Sequence, residues 1–249
     1  MMLPQGPLIG LTFAVTSAAD LPPLQGDWIE PLRAENGQDV GMLVVPLGSR
    51  EPRPFVVAVH GAAGRPDWMC GATRDTLGPH PFIVCPHPDA QLQTMASWSD
   101  AAQVRRAVER AVEAATRKYG ERIRQDAPLY VGHSQGAMLA PAFFSLPGKT
   151  HFSHVLFYEG LPSSPALARK ALASAGPARV LLVSGQRGWE RGHAAFAKDL
   201  ERVGITARHR HVESGHFFGP KSIALMRTQL AWLLGDARGW ESAHFTPSP

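Results

Sequence analysis

The stretch Leu129-Tyr130-Val131-Gly132-His133-Ser134-Gln135-Gly136-Ala137-Met138-Leu139-Ala140 passes from a short apolar run, through a glycine-flanked serine, into a helix-compatible segment. Leu129 to Val131 reads as a buried strand, and a helix is predicted to begin at Gln135. A serine on so tight a strand-to-helix turn needs small neighbours because the backbone is strained and closely packed. Gly132 and Gly136 supply them in a G-x-S-x-G pattern. The turn exposes the hydroxyl and sets the helix amino end beneath a developing oxyanion, which makes Ser134 a candidate nucleophile. A glycine-rich turn with an idle serine is the alternative that the pattern alone leaves open.

The neighbouring sequence gives this turn its context. Phe55 to Val59, Phe82 to Cys85, Val155 to Tyr158 and Val180 to Val183 are further continuous apolar runs, the signature of parallel strands covered on both faces. Helical patterns lie between them. The clearest spans Ala101 to Tyr119, where Val104, Val108, Ala111, Val112 and Ala115 recur at three- and four-residue steps, with Ser97 or Ser99 as the expected cap. Others are expected at Pro165 to Ser174, His193 to Val203 and Ser222 to Leu234. Asp27 to Leu32 and Asp39 to Val45, separated by Glu35-Asn36-Gly37, read as an antiparallel edge. The pattern is that of an α/β protein whose loops of chemical interest lie at the carboxyl ends of the strands.

Two further elements fall in order around Ser134. His60-Gly61-Ala62-Ala63-Gly64 closes the Phe55 to Val59 run, and its small residues let backbone N–H groups face a reacting carbonyl. Ala62 and Gln135 are the expected oxyanion-hole donors, with the His60 side chain bracing the loop. Late in the chain, Glu213-Ser214-Gly215-His216-Phe217-Phe218-Gly219 precedes the final helix, so His216 can reach across the strand tips to take the Ser134 proton and return it to a leaving group.

These residues together resemble the α/β-hydrolase superfamily, particularly its small esterases and lipases, over nearly the whole chain after Asp27. The resemblance implies an α/β-hydrolase fold, a mainly parallel eight-stranded sheet with helices on both faces. The interval from Gly160 to Ala178 is too short for a large cap domain but leaves room for a small lid, so a relatively open site is expected. The resemblance also implies a Ser-acid-His triad without metal or organic cofactor, acting on a small-molecule acyl substrate, but it does not choose the substrate. Residues 27–238 are expected to form the hydrolase domain, 1–26 an extension and 239–249 a tail. One family feature is missing. The acid usually follows the seventh strand, where Gly185-Gln186-Arg187-Gly188-Trp189-Glu190 offers no Asp. Glu159, at the tip of the sixth, is the preferred candidate, and Glu190 is its rival. A Ser-His pair without an acid, or a non-catalytic binding protein of the same fold, is the remaining case. A thioesterase, acyltransferase or small peptidase would use the same constellation as an esterase.

Composition narrows the classes further. The 249 residues carry a formal charge of +4, but the basic residues are scattered. The densest group, Arg105, Arg106, Arg110, Arg117 and Lys118, is interleaved with Glu109 and Glu113 and reads as a solvated helix face, so nucleic-acid binding is not expected. No apolar run approaches the roughly 18 residues of a membrane span. His209 and His211 alternate in a strand without the ligand spacing of a metal site. Trp68, Trp98, Trp189, Phe217 and Phe218 are expected in loops near the strand tips, as pocket lining or as packing. Leu8 to Ala19 is apolar and ends in small residues, but no Lys or Arg precedes it, leaving a signal remnant and an ordered strand as equal readings. Cys70 and Cys85 fall on a helix and the next strand, which pack together. A disulfide between them would imply a secreted or periplasmic protein, and two free buried thiols would leave a cytoplasmic one open.

Overall fold

The structure, a computed structural model, describes residues 21–88, 91–148, 150–241, 243 and 245. The candidate signal segment Leu8 to Ala19 lies outside them. Eight strands form one sheet: β1 (Ile29–Arg33), β2 (Asp39–Val44), β3 (Arg53–Val59), β4 (Phe82–Pro86), β5 (Ile123–His133), β6 (His154–Tyr158), β7 (Arg179–Ser184) and β8 (Thr206–His211). Their spatial order is β1-β2-β4-β3-β5-β6-β7-β8. β1, β2 and β4 pair antiparallel, and every other neighbouring pair is parallel. The sheet is therefore mixed, with the expected antiparallel edge.

Six helices connect the strands: α1 (Pro66–Leu77), α2 (Ala101–Tyr119), α3 (Gln135–Phe144), α4 (Pro165–Ala175), α5 (Arg187–Glu201) and α6 (Pro220–Leu234). Successive side chains of a strand point to opposite faces, so each apolar run feeds two cores. Val57 and Val59 join α2 to α5 on one side, while Val56 and Ala58 join α1 and α6 on the other. The interval after Gly160 holds α4, whose Ala168 and Leu172 are buried in the first of these cores, so this helix packs on the sheet and not as a cap over the strand tips. Leu24 and Trp240, outside the expected 27–238 span, also pack against these cores.

Several local expectations change in the structure. α2 is capped by Asp100, whose carboxylate accepts the Gln103 N–H at 2.7 Å. Ser97 instead accepts the Ala63 N–H at 3.0 Å, and Ser99 precedes the cap. Arg105 is not on the solvated face: it is buried, stacks 4.6 Å above the Phe143 ring and donates to the Phe143 and Leu146 carbonyls. A helix end leaves its last carbonyls without intrahelical donors, and Arg105 meets that need for α3. β5 begins at Ile123, earlier than Leu129, because the polar Arg124 pairs with Pro54 near the solvated end of the sheet. α5 begins at Arg187 rather than His193, so Trp189 and Glu190 lie in its first turn instead of a loop; Trp68 likewise lies on α1. Cys70 on α1 and Cys85 on β4 form a disulfide, with their Cα atoms 5.8 Å apart. No described helix is long and apolar enough to cross a membrane.

Candidate active site

Three strand ends converge, and each carries a strained residue. Among the described residues, the only non-glycine positions with positive φ are Ala63 (50°), Ser134 (49°) and Glu159 (55°), following β3, β5 and β6. Such conformations cost on the order of 1–3 kcal/mol each and persist where the surrounding structure over-determines them.

The Ser134 turn shows why glycine flanks it. A Cβ on Gly132 would lie 2.9 Å from the Ala137 backbone nitrogen, and one on Gly136 would strike the Val59 carbonyl oxygen. The Ser134 N–H donates to the Tyr158 carbonyl at 2.9 Å, tying the turn to β6. Gln135 opens α3, where the amide has no intrahelical acceptor. Its side chain grips the backbone of Trp98, accepting from the N–H at 2.9 Å and donating to the carbonyl at 2.8 Å.

His216 sits between serine and carboxylate. Ser134 Oγ lies 3.0 Å from His216 Nε2, and His216 Nδ1 lies 3.2 Å from Glu159 Oε2. The Glu159 side chain is fully buried, at 0% exposure. Its Oε1 accepts the N–H groups of Gly185 and Gln186, the latter at 3.0 Å, at the amino end of α5. Both oxygens are thus engaged, and the helix dipole favours the anion there. Glu190 stands elsewhere: its Oε2 lies 3.9 Å from His211 Nε2. The structure therefore brings together Ser134, His216 and Glu159, and leaves Glu190 apart.

Ala62 lies in the His60 to Gly64 loop, which approaches Ser134 so closely that a Cβ on Gly61 would sit 2.8 Å from the serine Cβ. His60 Nδ1–H donates to the Gly61 carbonyl at 2.8 Å, and the His60 carbonyl accepts Trp98 Nε1–H at 2.9 Å. Reciprocal backbone bonds between Gly64 and Ala96 complete the brace. Trp98 is thus a buried support. Trp189 stacks on His193, with ring centroids 6.0 Å apart. Only Trp68, Phe217 and Phe218 of the five expected aromatics line the hollow beside Ser134.

Two residues that sequence reasoning passed over hold the His216 loop. His133 Nε2–H donates to the His216 carbonyl at 2.9 Å, and Tyr158 Oη donates within 3.0 Å of the Gly215 and Phe217 carbonyls. Burial pushes the His133 imidazole down to about 4, a shift that the His216 carbonyl opposes and the nearby His216 ring reinforces, so it is neutral at pH 7. Burial likewise raises the Tyr158 phenol. Their signal in the sequence is adjacency alone, since they directly precede Ser134 and Glu159. His209 Nε2 and His211 Nδ1 both reach Ser184 Oγ, at 2.8 and 3.2 Å. No cluster of three or more metal-ligating side chains occurs among the described residues.

No family model matches the sequence, and no curated protein sequence does. Solved structures resemble it in fold. Esterase PE8 superposes with a TM-score of 0.60 at 19% identity, covering 78% of this chain and 99% of its own. Est1E from Butyrivibrio proteoclasticus gives 0.59 at 12% identity, over 84% of this chain and 98% of its own. The acylaminoacyl peptidase of Pyrococcus horikoshii gives 0.57 at 14% identity, over 87% of this chain and 42% of its own. The chain has the α/β-hydrolase fold. Esterases and peptidases are both among the proteins that share it.

Proposed function

We propose that this protein is a serine hydrolase that cleaves a carboxylic ester or related acyl bond through an acyl-enzyme on Ser134. The reading rests on one observation, the line from Ser134 Oγ to His216 Nε2 at 3.0 Å and from His216 Nδ1 to Glu159 Oε2 at 3.2 Å. Ser134 Oγ attacks the carbonyl carbon as His216 Nε2 takes its proton. Glu159 holds Nδ1–H and stabilises the imidazolium that forms. The Ala62 and Gln135 N–H groups carry the oxyanion, and His216 returns the proton to the leaving oxygen. Water, activated by the same imidazole, then releases the acid.

A buried carboxylate in contact with His216, where β7 is followed by no Asp, supports catalysis over a non-catalytic binding role. A fluorophosphonate probe tests the proposal. One adduct on Ser134 is expected, absent in Ser134→Ala and at least a hundredfold slower in His216→Ala. A folded protein whose Ser134 stays unlabelled would overturn it. Rates on matched ester, thioester and peptide substrates rank the acyl bond. The Cys70–Cys85 bond extends the proposal to a protein working in oxidising, extracytoplasmic surroundings.

A further inference from the structure

A hollow of 180 Å³, which Ser134 itself does not line, is walled by the His60 to Gly64 loop, by Trp68, Met69 and Ala72 of α1, and by His133, Phe217 and Phe218. It reaches the serine through Gly61, where a Cβ would lie 3.4 Å from Ser134 Oγ. Its surface is largely apolar. The one guanidinium at its edge, Arg65, is paired with Asp67 at 2.6 Å and stacked 4.8 Å above the Trp68 ring. The His133 ring has committed its Nε2–H to the His216 carbonyl. A charged substituent would therefore lose its water without gaining a free counter-charge, whereas an apolar one is welcome. Trp68 is 54% exposed and Phe217 74%, so two large aromatic surfaces stand at the mouth with much of their area still wet.

Size and shape narrow the ligand. An apolar cavity of roughly 150 Å³ holds a benzene ring, so this hollow has room for one ring with a short linker, while a long alkyl chain would run past it into solvent. The aromatic walls favour a ring, which gains offset or edge contacts beyond its area burial. The hollow is bordered by the loop expected to hold the carbonyl oxygen and not by the His216 ring, which serves the leaving oxygen. We infer that the acyl group cleaved at Ser134 carries a single aryl ring one or two carbons from the carbonyl, seated among Trp68, Phe217 and Phe218. This rests on Ser134 being the nucleophile.

Vinyl esters share one small leaving group and isolate the acyl side. Vinyl phenylacetate should exceed vinyl acetate in kcat/KM by about tenfold or more, the scale of hydrophobic-pocket discrimination, and should also exceed vinyl decanoate. Ala72→Phe, which fills the hollow, should cut the phenylacetate-to-acetate ratio about tenfold, and Trp68→Ala should lower it severalfold, with circular dichroism confirming the fold. A ratio near one, a preference for decanoate, a preference for benzyl acetate over vinyl phenylacetate, or a ratio untouched in both variants would overturn the ring site. If the fluorophosphonate still labels Ser134 in that event, the hydrolase reading stands and only the ring site fails. If Ser134 stays unlabelled and no ester is cleaved, the hydrolase reading fails, and acetophenone binding followed by NMR tests the hollow directly. Saturable binding lost in Ala72→Phe would sustain a ring site there, and no binding would dispose of it.

Discussion

Glu159 joins full burial, a left-handed backbone and three hydrogen-bond donors at one residue. Its amide still pairs with the Val183 carbonyl at 3.1 Å, so the sheet holds the residue in place while its side chain turns toward His216. Glu159→Gln keeps the shape, and the new amide nitrogen beside Nδ1 would favour the tautomer that protonates Nε2, facing Ser134. A fall in kcat of about a hundredfold or more is expected, while Glu190→Gln, apart from the site, leaves kcat within about twofold. Equal losses in the two variants would remove Glu159 from its proposed role. His133 yields a pH prediction. Its folded imidazole titrates at about 4 because it is buried, while the unfolded chain takes the proton near the ordinary 6.5. Between these values the unfolded state binds more protons, so stability is full above about 6.5 and falls as pH drops toward 4. His193, also lowered to about 4 by burial, adds a second such group. Urea unfolding at pH 7.5, 6 and 5 should show a shallower acid slope for His133→Gln than for the parent, and an unchanged slope would rule out the linkage.

At the scale of elements, the site is a meeting of strand ends whose loops brace one another. The β5-to-α3 turn depends on close approach to β3: a side chain at Gly136 would meet the carbonyl oxygen of Val59 as well as that of His60. Gly136→Ala must push α3 off the β3 end and should cost on the order of 3 kcal/mol, seen as a lowered denaturation midpoint. Activity should fall further than stability, because α3 carries the Gln135 amide and the bidentate grip on Trp98. A variant with parental stability would mean that the turn relaxes without disturbing β3. The His216 loop is held differently, by side chains from β5 and β6 that donate to three of its carbonyls. A short loop with glycine at 215 is thereby fixed without secondary structure of its own.

Across the whole molecule, the disulfide links α1 to β4, closing a loop of sequence separation 15. A loop of that length contributes about 3 kcal/mol by restricting the unfolded chain. Cys70→Ser with Cys85→Ser should therefore lose about 3 kcal/mol in denaturant unfolding. The parent's non-reduced mass should be about two daltons below that of the dithiol form. Two freely alkylated thiols in protein made in an oxidising compartment would contradict the bond. Because α1 also carries Trp68, Met69 and Ala72, the same bond anchors one wall of the hollow beside Ser134.

The alternation of apolar runs with helical patterns was enough to specify the doubly covered sheet, since a run buried on both faces has few other homes. The G-x-S-x-G pattern made Ser134 legible as a candidate nucleophile: Gly132 answers a steric need within five residues, at Ala137, whereas Gly136 answers the Val59 and His60 carbonyls, which only the fold brings near. His216 was legible from its order in the chain and its small neighbours. The sequence left the carboxylate open because Glu159 and Glu190 each follow a buried strand, and only three-dimensional register brings Glu159 within 3.2 Å of His216. The start of α5 was hidden because Gly185 and Gly188 read as loop, although the carboxylate at its amino end favours that helix. Arg105 was expected on the solvated face because helical periodicity holds no record of the carbonyls of Phe143, in the last turn of α3, and Leu146, just past it, that accept from its guanidinium. The bracing by His133, Tyr158, Gln135 and Trp98 belongs wholly to tertiary structure, since each acts through backbone groups that are distant in sequence and carry no side-chain signature.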